Sequence, residues 1–322
     1  MSEIFIKCMN QSIIVGWIII FIILLRLLFK RMPKWIAPCL WIFVIIRFLI
    51  PSTFTNNFSI IPSAISFPVN NLYEHRIQVN TGIQLLDKLF NEHIFMNYYT
   101  GVSADYQATT NFFKVISLLW CIVMCVFLLV FVWHYISLRI KLKESIRISK
   151  NVYINDCITT SFVFGVIFPR VYLPTGLSEA EEKYILEHEI AHIKRKDYLI
   201  KIIFYFFLGI NCFNPLVWLA YYLISKDIEL ACDEYVIKNK DEMERKEYAK
   251  ILYSKSTGCS GILFNTSFSA CFLKTRIKNI NDYNSASAVY IGIIILGCVL
   301  FIIFTIGNPG QGDFFGSFRK FQ

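Results

Sequence analysis

Residues 178–215 read S-E-A-E-E-K-Y-I-L-E-H-E-I-A-H-I-K-R-K-D-Y-L-I-K-I-I-F-Y-F-F-L-G-I-N-C-F-N-P. Ser178 is followed three residues later by Glu181. This is a capping box, so a helix opens at about Glu179. Neither Pro nor Gly interrupts it before about Lys194. On that helix His188 and His192 lie one turn apart on one face. Two imidazoles so placed can grip one zinc ion at about 2.0–2.1 Å. Glu189 sits beside the first histidine. It can take a proton from a zinc-bound water and pass it to a leaving amine. The apolar run that follows, Tyr198 to Ile224, is long enough to cross a bilayer, but its middle reads Asn211-Cys-Phe-Asn214-Pro215. Asn and Pro there favour a turn over a continuous helix. The expectation is two apolar helices, about 198–210 and 215–236. They form a hairpin that dips into a membrane face or packs beneath it.

A catalytic zinc site needs a third protein ligand and leaves a fourth position to water. Downstream candidates are Asp197, Asp227, Glu229, Asp233 and Glu234. Asp197 follows His192 too closely to fold back easily, and Arg195-Lys196-Asp197 reads as a solvated helix end. Glu229 is better placed, because the second arm of the hairpin returns the chain toward the histidine helix. Asp233 lies one turn further on the same face. There it would accept the free ring N–H of a zinc-bound histidine. An ordinary charged helix face would leave the same spacing.

Upstream, Thr159 to Pro174 reads T-T-S-F-V-F-G-V-I-F-P-R-V-Y-L-P. It predicts two short strands joined near Gly165–Pro169. Pro169 suggests an edge. An exposed edge at Phe162, Val163, Phe164 and Gly165 would hold an extended substrate peptide by strand addition. A hairpin that only packs on the helix is the alternative.

The surrounding composition says where such a site would sit. Hydrophobic residues make up 56% of 322 and charged residues 17%, with 30 Phe; mean hydropathy is +0.52. A soluble domain carries about 25% charged residues. Some of this apolar surface must therefore face lipid, which excludes a disordered chain, a collagen-like chain and an ordinary cytosolic enzyme. Four apolar segments suit a bilayer of roughly 30 Å: about Ile13–Phe29, Trp35–Ile50, Phe112–Ile136 and Ala288–Ile306. The first lacks a small-residue cleavage site and reads as an anchor.

Charge sets the direction. Lys30, Arg31 and Lys34 between the first two spans mark a cytoplasmic loop. The 51–110 loop has Arg76 and Lys88 against Glu74, Asp87, Glu92 and Asp105, and should lie outside. Arg139, Lys141, Lys143, Arg147 and Lys150 mark the inside again. If 198–224 crossed fully, the ten Lys/Arg from Lys226 to Lys278 would fall outside.

The expected organisation follows. Residues 1–50 hold two spans and 51–111 an extracellular loop. Residues 112–138 form the third span and 139–287 a cytoplasmic zinc domain. The fourth span is 288–306, and 307–322 is a short external tail. The fold class is thus a mainly α membrane protein with four transmembrane helices, N-terminus outside. The net charge of +9 is explained by this topology, so no direct nucleic-acid partner is expected. Ten cysteines without a C-x-x-C pair imply no disulfide framework.

The chain resembles the BlaR/MecR family of integral-membrane zinc metallopeptidases, the antirepressor sensor–transducers of bacterial β-lactam response. The resemblance rests on Ser161-Phe162-Val163-Phe164-Gly165 with Pro169, on Val171-Tyr172-Leu173-Pro174, and on H-E-I-A-H with Lys194-Arg195-Lys196-Asp197. It continues through Asn214-Pro215-Leu216-Val217-Trp218, Glu229-Leu-Ala-Cys-Asp233-Glu234 and Arg276-Ile277. It implies a gluzincin-like domain with zinc held by His188, His192 and Glu229, and Asp233 in support. It also implies a bacterial cell-membrane location and a cytoplasmic repressor as substrate. Members that sense β-lactams carry a penicillin-binding domain after the last span. Only about 16 residues follow it here; the expectation is that the sensor is a separate protein, that the signal enters through the 51–110 loop, or that the C-terminus is missing from this sequence.

The leading expectation is a membrane zinc endopeptidase that cuts a repressor and also itself, within Ser254–Ala270. Membrane lipid and a homodimer partner are compatible with it. Alternatives are a housekeeping protease of damaged membrane proteins and a non-enzymatic receptor or scaffold. The presence of Glu189 argues against the last, because a structural zinc site has no use for that carboxylate.

Overall fold

A computed structural model describes residues 1–29, 32–49, 55–56, 106–257, 266–283, 287–306 and 308–309. Of the expected 51–111 loop, residues 51–54 and 57–105 fall outside the described residues, as do 307 and 310–322 of the expected 307–322 tail and much of the Ser254–Ala270 segment. Each expected apolar segment is helical: α1 Ser2–Leu28, α2 Ile36–Leu49, α3 Tyr106–Lys141 and, late in the chain, α9 Ala288–Ile306. Helix α3 extends beyond its expected limits at both ends. Ser2–Leu28 and Phe113–Lys141 are long and apolar enough to cross a membrane, while Ile36–Leu49 and Val289–Ile303 are shorter apolar helices. Almost none of α3's apolar stretch is buried against the protein.

The run from Asp197 folds as the expected hairpin. Helix α5 spans Asp197–Ile210 and α6 spans Pro215–Ile237. Asn214 caps α6 by accepting the Leu216 N–H at 3.0 Å, and Pro215 opens the helix, where its missing N–H costs nothing. The hairpin does not lie beneath the other helices. At its tip Asn214 Nδ2 donates to the Ser12 carbonyl and to Ser12 Oγ, both at 2.9 Å. Further along, Asp227 accepts Arg26 at 2.6 Å and Trp41 Nε1 at 2.7 Å. Ser12 and Arg26 are separated by about 21 Å of helix, so α6 runs parallel to α1 over that length. On the other arm, Trp120 Nε1 donates to the Ile210 carbonyl at 2.9 Å and Tyr205 Oη to the Phe127 carbonyl at 3.0 Å. One apolar core joins α1, α2, α5, α6 and α9 around Ile18, Ile22, Trp41, Val44, Phe204, Val217, Ile224 and Ile294.

Asp227 is almost fully buried beside a largely buried Arg26. Truncating one partner of such a pair leaves an uncompensated charge. Asp227→Ala should therefore lower the stability of the purified chain by about 3–5 kcal/mol, read as its denaturation midpoint in detergent. An unshifted midpoint would mean that Arg26 finds water.

The sheet is larger than the sequence reading expects. Strands β1 Ile146–Ser149, β2 Val152–Asn155, β3 Phe162–Phe164 and β4 Arg170–Pro174 lie in the order β1-β2-β4-β3. The predicted pair β3–β4 is antiparallel, with Phe162 opposite Tyr172 and Phe164 opposite Arg170. The β1–β2 hairpin was missed because Arg147 and Lys150 were read only as loop charges. Its signal was present in the alternation Ile146, Ile148 followed by a Lys150-Asn151 turn. Gly165 has φ 114°, and a Cβ there would sit 2.5 Å from the Phe168 carbonyl oxygen. Only glycine fits the start of that turn. Val152, Val171 and Leu173 pack the sheet on Ile185, Leu186 and Ile193 of α4, Glu179–Arg195. Helices α7 Glu242–Thr257 and α8 Thr266–Asn281 close the other side, through Tyr184, Ile237, Tyr248 and Ile280.

Candidate metal centre

Helix α4 begins at the predicted capping box: Ser178 Oγ accepts the Glu181 N–H, and Glu181 accepts the Ser178 N–H at 3.0 Å. Its fixed phase brings His188 Nε2 within 3.2 Å of His192 Nε2. Helix α6 returns from the hairpin and sets Glu229 over the same two nitrogens. Its Oε2 is 3.5 Å from His188 Nε2 and its Oε1 is 3.7 Å from His192 Nε2. Ligand atoms around a tetrahedral zinc with bonds of about 2.0–2.1 Å stand about 3.3 Å apart. The donor set therefore suits such an ion in both chemistry and spacing.

Cys232 also lies close: one ligand atom from each of His188, His192 and Cys232 falls within 4.8 Å of the others. Its sulfur, however, contacts His188 Nδ1 at 3.5 Å and the His188 carbonyl at 3.4 Å. The sulfur thus meets His188 on its Nδ1 side, whereas the Glu229 carboxylate faces the Nε2 atoms of both histidines.

The charges around the imidazoles are strongly biased. Burial alone would push His188 down, but Cys232, Glu229 and Asp233 outweigh it and raise the group to about 10. Burial likewise opposes charge on His192, and Asp197, Cys232 and Glu229 raise it to about 12. Burial would push Glu229 up, yet Lys201, the two histidines and Arg276 hold its carboxyl well below the usual carboxylate range. The cage favours positive charge at its centre, and a bound divalent ion would displace the protons.

The outer contacts correct two expectations. Asp197 is not a solvated helix end: it is 1% exposed and its Oδ2 lies 2.8 Å from His192 Nδ1. Lys196 makes this possible by adopting a left-handed conformation, φ 57° and ψ 30°. The chain turns at once from α4 into α5, so the first carboxylate of α5 points back at the histidine. Arg195 Nε donates to the same oxygen at 3.1 Å. Asp233 acts less directly than expected, with Oδ1 3.6 Å from His188 Nδ1. The nearer partner is Tyr248 Oη at 2.9 Å, which donates to Asp233 Oδ1 at 2.7 Å. Arg276 clamps Asp233 through two bonds of 2.7 Å. The relay therefore runs from His188 through Tyr248 to Asp233.

Outer partners of metal-bound histidines are worth about 10–100-fold in metal affinity. Asp197→Asn should weaken zinc binding within that range, measured by competition with a chelating dye. Unchanged affinity would remove Asp197 from the site.

Glu189 is 7% exposed, and Ser161 Oγ donates to its Oε1 at 2.8 Å. It lines a cavity of about 500 Å³ together with His188, His192, Glu229, Lys201, Tyr248 and Arg276. Thr159 to Val163 form one wall of this cavity. Of the four expected strand residues, Phe162 and Val163 thus face it. Phe164 instead stacks on Tyr135 of α3 at 5.0 Å, and Gly165 makes the turn. Strand β3 pairs only with β4 among the described strands, so its other edge is open. Lys201 Nζ lies 3.0 Å and Arg276 Nη1 3.4 Å from the Glu229 carboxylate. The sequence reading missed the roles of Tyr248, Lys201 and Ser161. Tyr248 is 60 residues from His188, and no local pattern marks it.

The model of a family described as BlaR1 peptidase M56 matches residues 6–282. Regulatory protein BlaR1 of Bacillus licheniformis is 30% identical over 174 residues, which is 49% of this chain and 29% of the relative. Methicillin resistance mecR1 protein of Staphylococcus aureus strain Mu50 is 24% identical over 301 residues, 82% of this chain and 49% of the relative. Regulatory protein BlaR1 of Staphylococcus aureus is 30% identical over 172 residues, 51% of this chain and 29% of the relative. The chain spans about half the length or less of these relatives.

Proposed function

The chain belongs to the BlaR1 peptidase M56 family, and on that basis we propose that it is a membrane-bound zinc endopeptidase that cuts a cytoplasmic protein. The observation that carries this reading is one carboxylate, Glu229, facing two imidazole nitrogens that lie 3.2 Å apart. His188, His192 and Glu229 would hold the zinc. Bound there, zinc polarises a carbonyl and lowers the pKa of its water to about 7. The protein's own groups do the rest. Asp197 and Tyr248 engage the two Nδ1 atoms and so keep the Nε2 atoms turned toward Glu229. Ser161 orients Glu189, which accepts the proton of the attacking water. As the C–N bond breaks, Glu189 hands that proton to the departing amine. An extended peptide would pair with the open edge of β3 along Phe162 and Val163.

The proposed topology has four spans, an outside N-terminus and residues 139–287 in the cytoplasm. It is supported by the contact of the α1–α2 connection with the metal-site end of α6. There the Lys34 N–H donates to Glu234 and Arg26 pairs with Asp227. A basic, cytoplasm-facing loop and the zinc cage thus share one side. The relatives bear the names of a regulatory protein and a methicillin-resistance protein, which favours a transcriptional repressor as substrate and a bacterial cell membrane as location. A homodimer partner and self-cleavage are further parts of the same proposal.

The test is a comparison of new protein N-termini in wild-type and Glu189→Gln cells. The proposal expects a small set of cytoplasmic termini that disappears in the variant. Identical sets in both strains would contradict it.

A further inference from the structure

The turn between β3 and β4 exposes more large apolar surface than a soluble loop keeps. Val166 is 41%, Ile167 81% and Phe168 77% exposed. Contiguous apolar exposure of this kind marks a contact surface. The residues around it are basic: Arg147, Lys150 and Arg170 are all exposed. No Asp or Glu occurs between Ile146 and Asn155 or between Phe162 and Pro174.

Two contacts fix the direction of this tip. At one end of the sheet, Asn155 Nδ2 donates to the Lys141 carbonyl at 3.1 Å. Toward the other end, Phe164 stacks on Tyr135 at 5.0 Å. Those α3 residues are six apart, about 9 Å along the helix axis. Moving along the sheet from Asn155 to Phe164 therefore moves back along α3, from its basic end toward its apolar stretch. The tip continues beyond Phe164 in the chain. At this level α3 carries exposed Trp133 and Ile136 and then exposed Arg139 and Lys141, the usual order across a bilayer interface.

We propose that Val166, Ile167 and Phe168 insert into the leaflet at the basic end of α3, while Arg147, Lys150 and Arg170 meet the phosphates of anionic lipids. The proposal rests on the reading of α3 as a membrane span. Apolar contact and basic attraction to anionic headgroups are the two components of such interfacial binding. Insertion would hold β3 at a fixed height, with its Ser161 end on Glu189.

The experiment uses the full chain in vesicles of phosphatidylglycerol and phosphatidylcholine. Photoreactive benzoylphenylalanine replaces Phe168, with Leu129 on the exposed side of α3 and Thr175 at the far end of β4 replaced in parallel. All three positions are exposed, so folding should survive. After illumination, phospholipid adducts are sought by mass spectrometry. The expected result is lipid adducts at 168 and 129 and none at 175. Adducts at 129 without any at 168, or a 168 adduct to a second copy or to a soluble protein, would overturn the proposal and leave the span intact. No lipid adduct at 129 would overturn the span and the proposal with it. Arg147→Gln, Lys150→Gln and Arg170→Gln together should abolish the preference of the 168 adduct for phosphatidylglycerol vesicles. Equal yields in vesicles with and without phosphatidylglycerol before those changes would overturn the anionic-lipid contact.

Discussion

Glu189→Gln should leave the zinc content of the purified chain unchanged while cleavage of its protein substrate slows by about 10²–10⁴-fold, the range typical of a lost general base. The glutamine keeps the size of the side chain and can still accept the Ser161 hydroxyl, which lies 2.8 Å from Glu189 Oε1. It cannot carry a proton from water to amine. The proposed donors His188, His192 and Glu229 are untouched, so metal and fold should persist. Zinc content by atomic absorption and a single-turnover cleavage assay separate the two effects. Cleavage at an undiminished rate would remove Glu189 from the chemistry.

Glu229→Ala should act on the metal itself. The change removes one of the three proposed donors and strips Lys201 and Arg276 of a shared carboxylate. Those two cations would then face the two imidazoles without the charge that offsets them. The affinity loss should exceed the 10–100-fold expected for an outer partner, and the chain should leave purification with little zinc and no activity. Cys232→Ser is the matched control. Its sulfur faces His188 Nδ1 and a backbone carbonyl, so zinc should remain. Zinc retained by Glu229→Ala and lost by Cys232→Ser would invert the assignment.

Much of this site is written in local spacing. His188 and His192 follow from helix periodicity, and the capping box at Ser178 and Glu181 tells where the helix starts. Asn211, Asn214 and Pro215 announce the hairpin. Glu229 needed more. Spacing left several carboxylates open, and the resemblance to a known family chose among them. Asp197 was misread because the turn depends on Lys196 adopting a left-handed conformation, which residue type does not announce. Asp233 was placed on the correct face, but the hydroxyl of Tyr248 stands between it and His188. Tyr248 arrives on α7, which packs beside α4 through Ala249 and Tyr184, a tertiary event with no sequence period. The β1–β2 hairpin was hidden by its charges: Arg147 and Lys150 serve a strand and a turn as well as a topology signal. The depth of the α5–α6 hairpin was likewise undetermined by composition. It is set by two polar contacts, Asn214 to Ser12 and Asp227 to Arg26, between segments about 200 residues apart.

X-ray absorption at the zinc edge of the purified, active full chain tests the central claim most directly. The account predicts one zinc per chain, with two imidazole nitrogens and the remaining donors oxygen, all at about 2.0–2.2 Å. A sulfur scatterer at about 2.3 Å, which would place Cys232 on the metal, or a chain that binds no zinc, would contradict it.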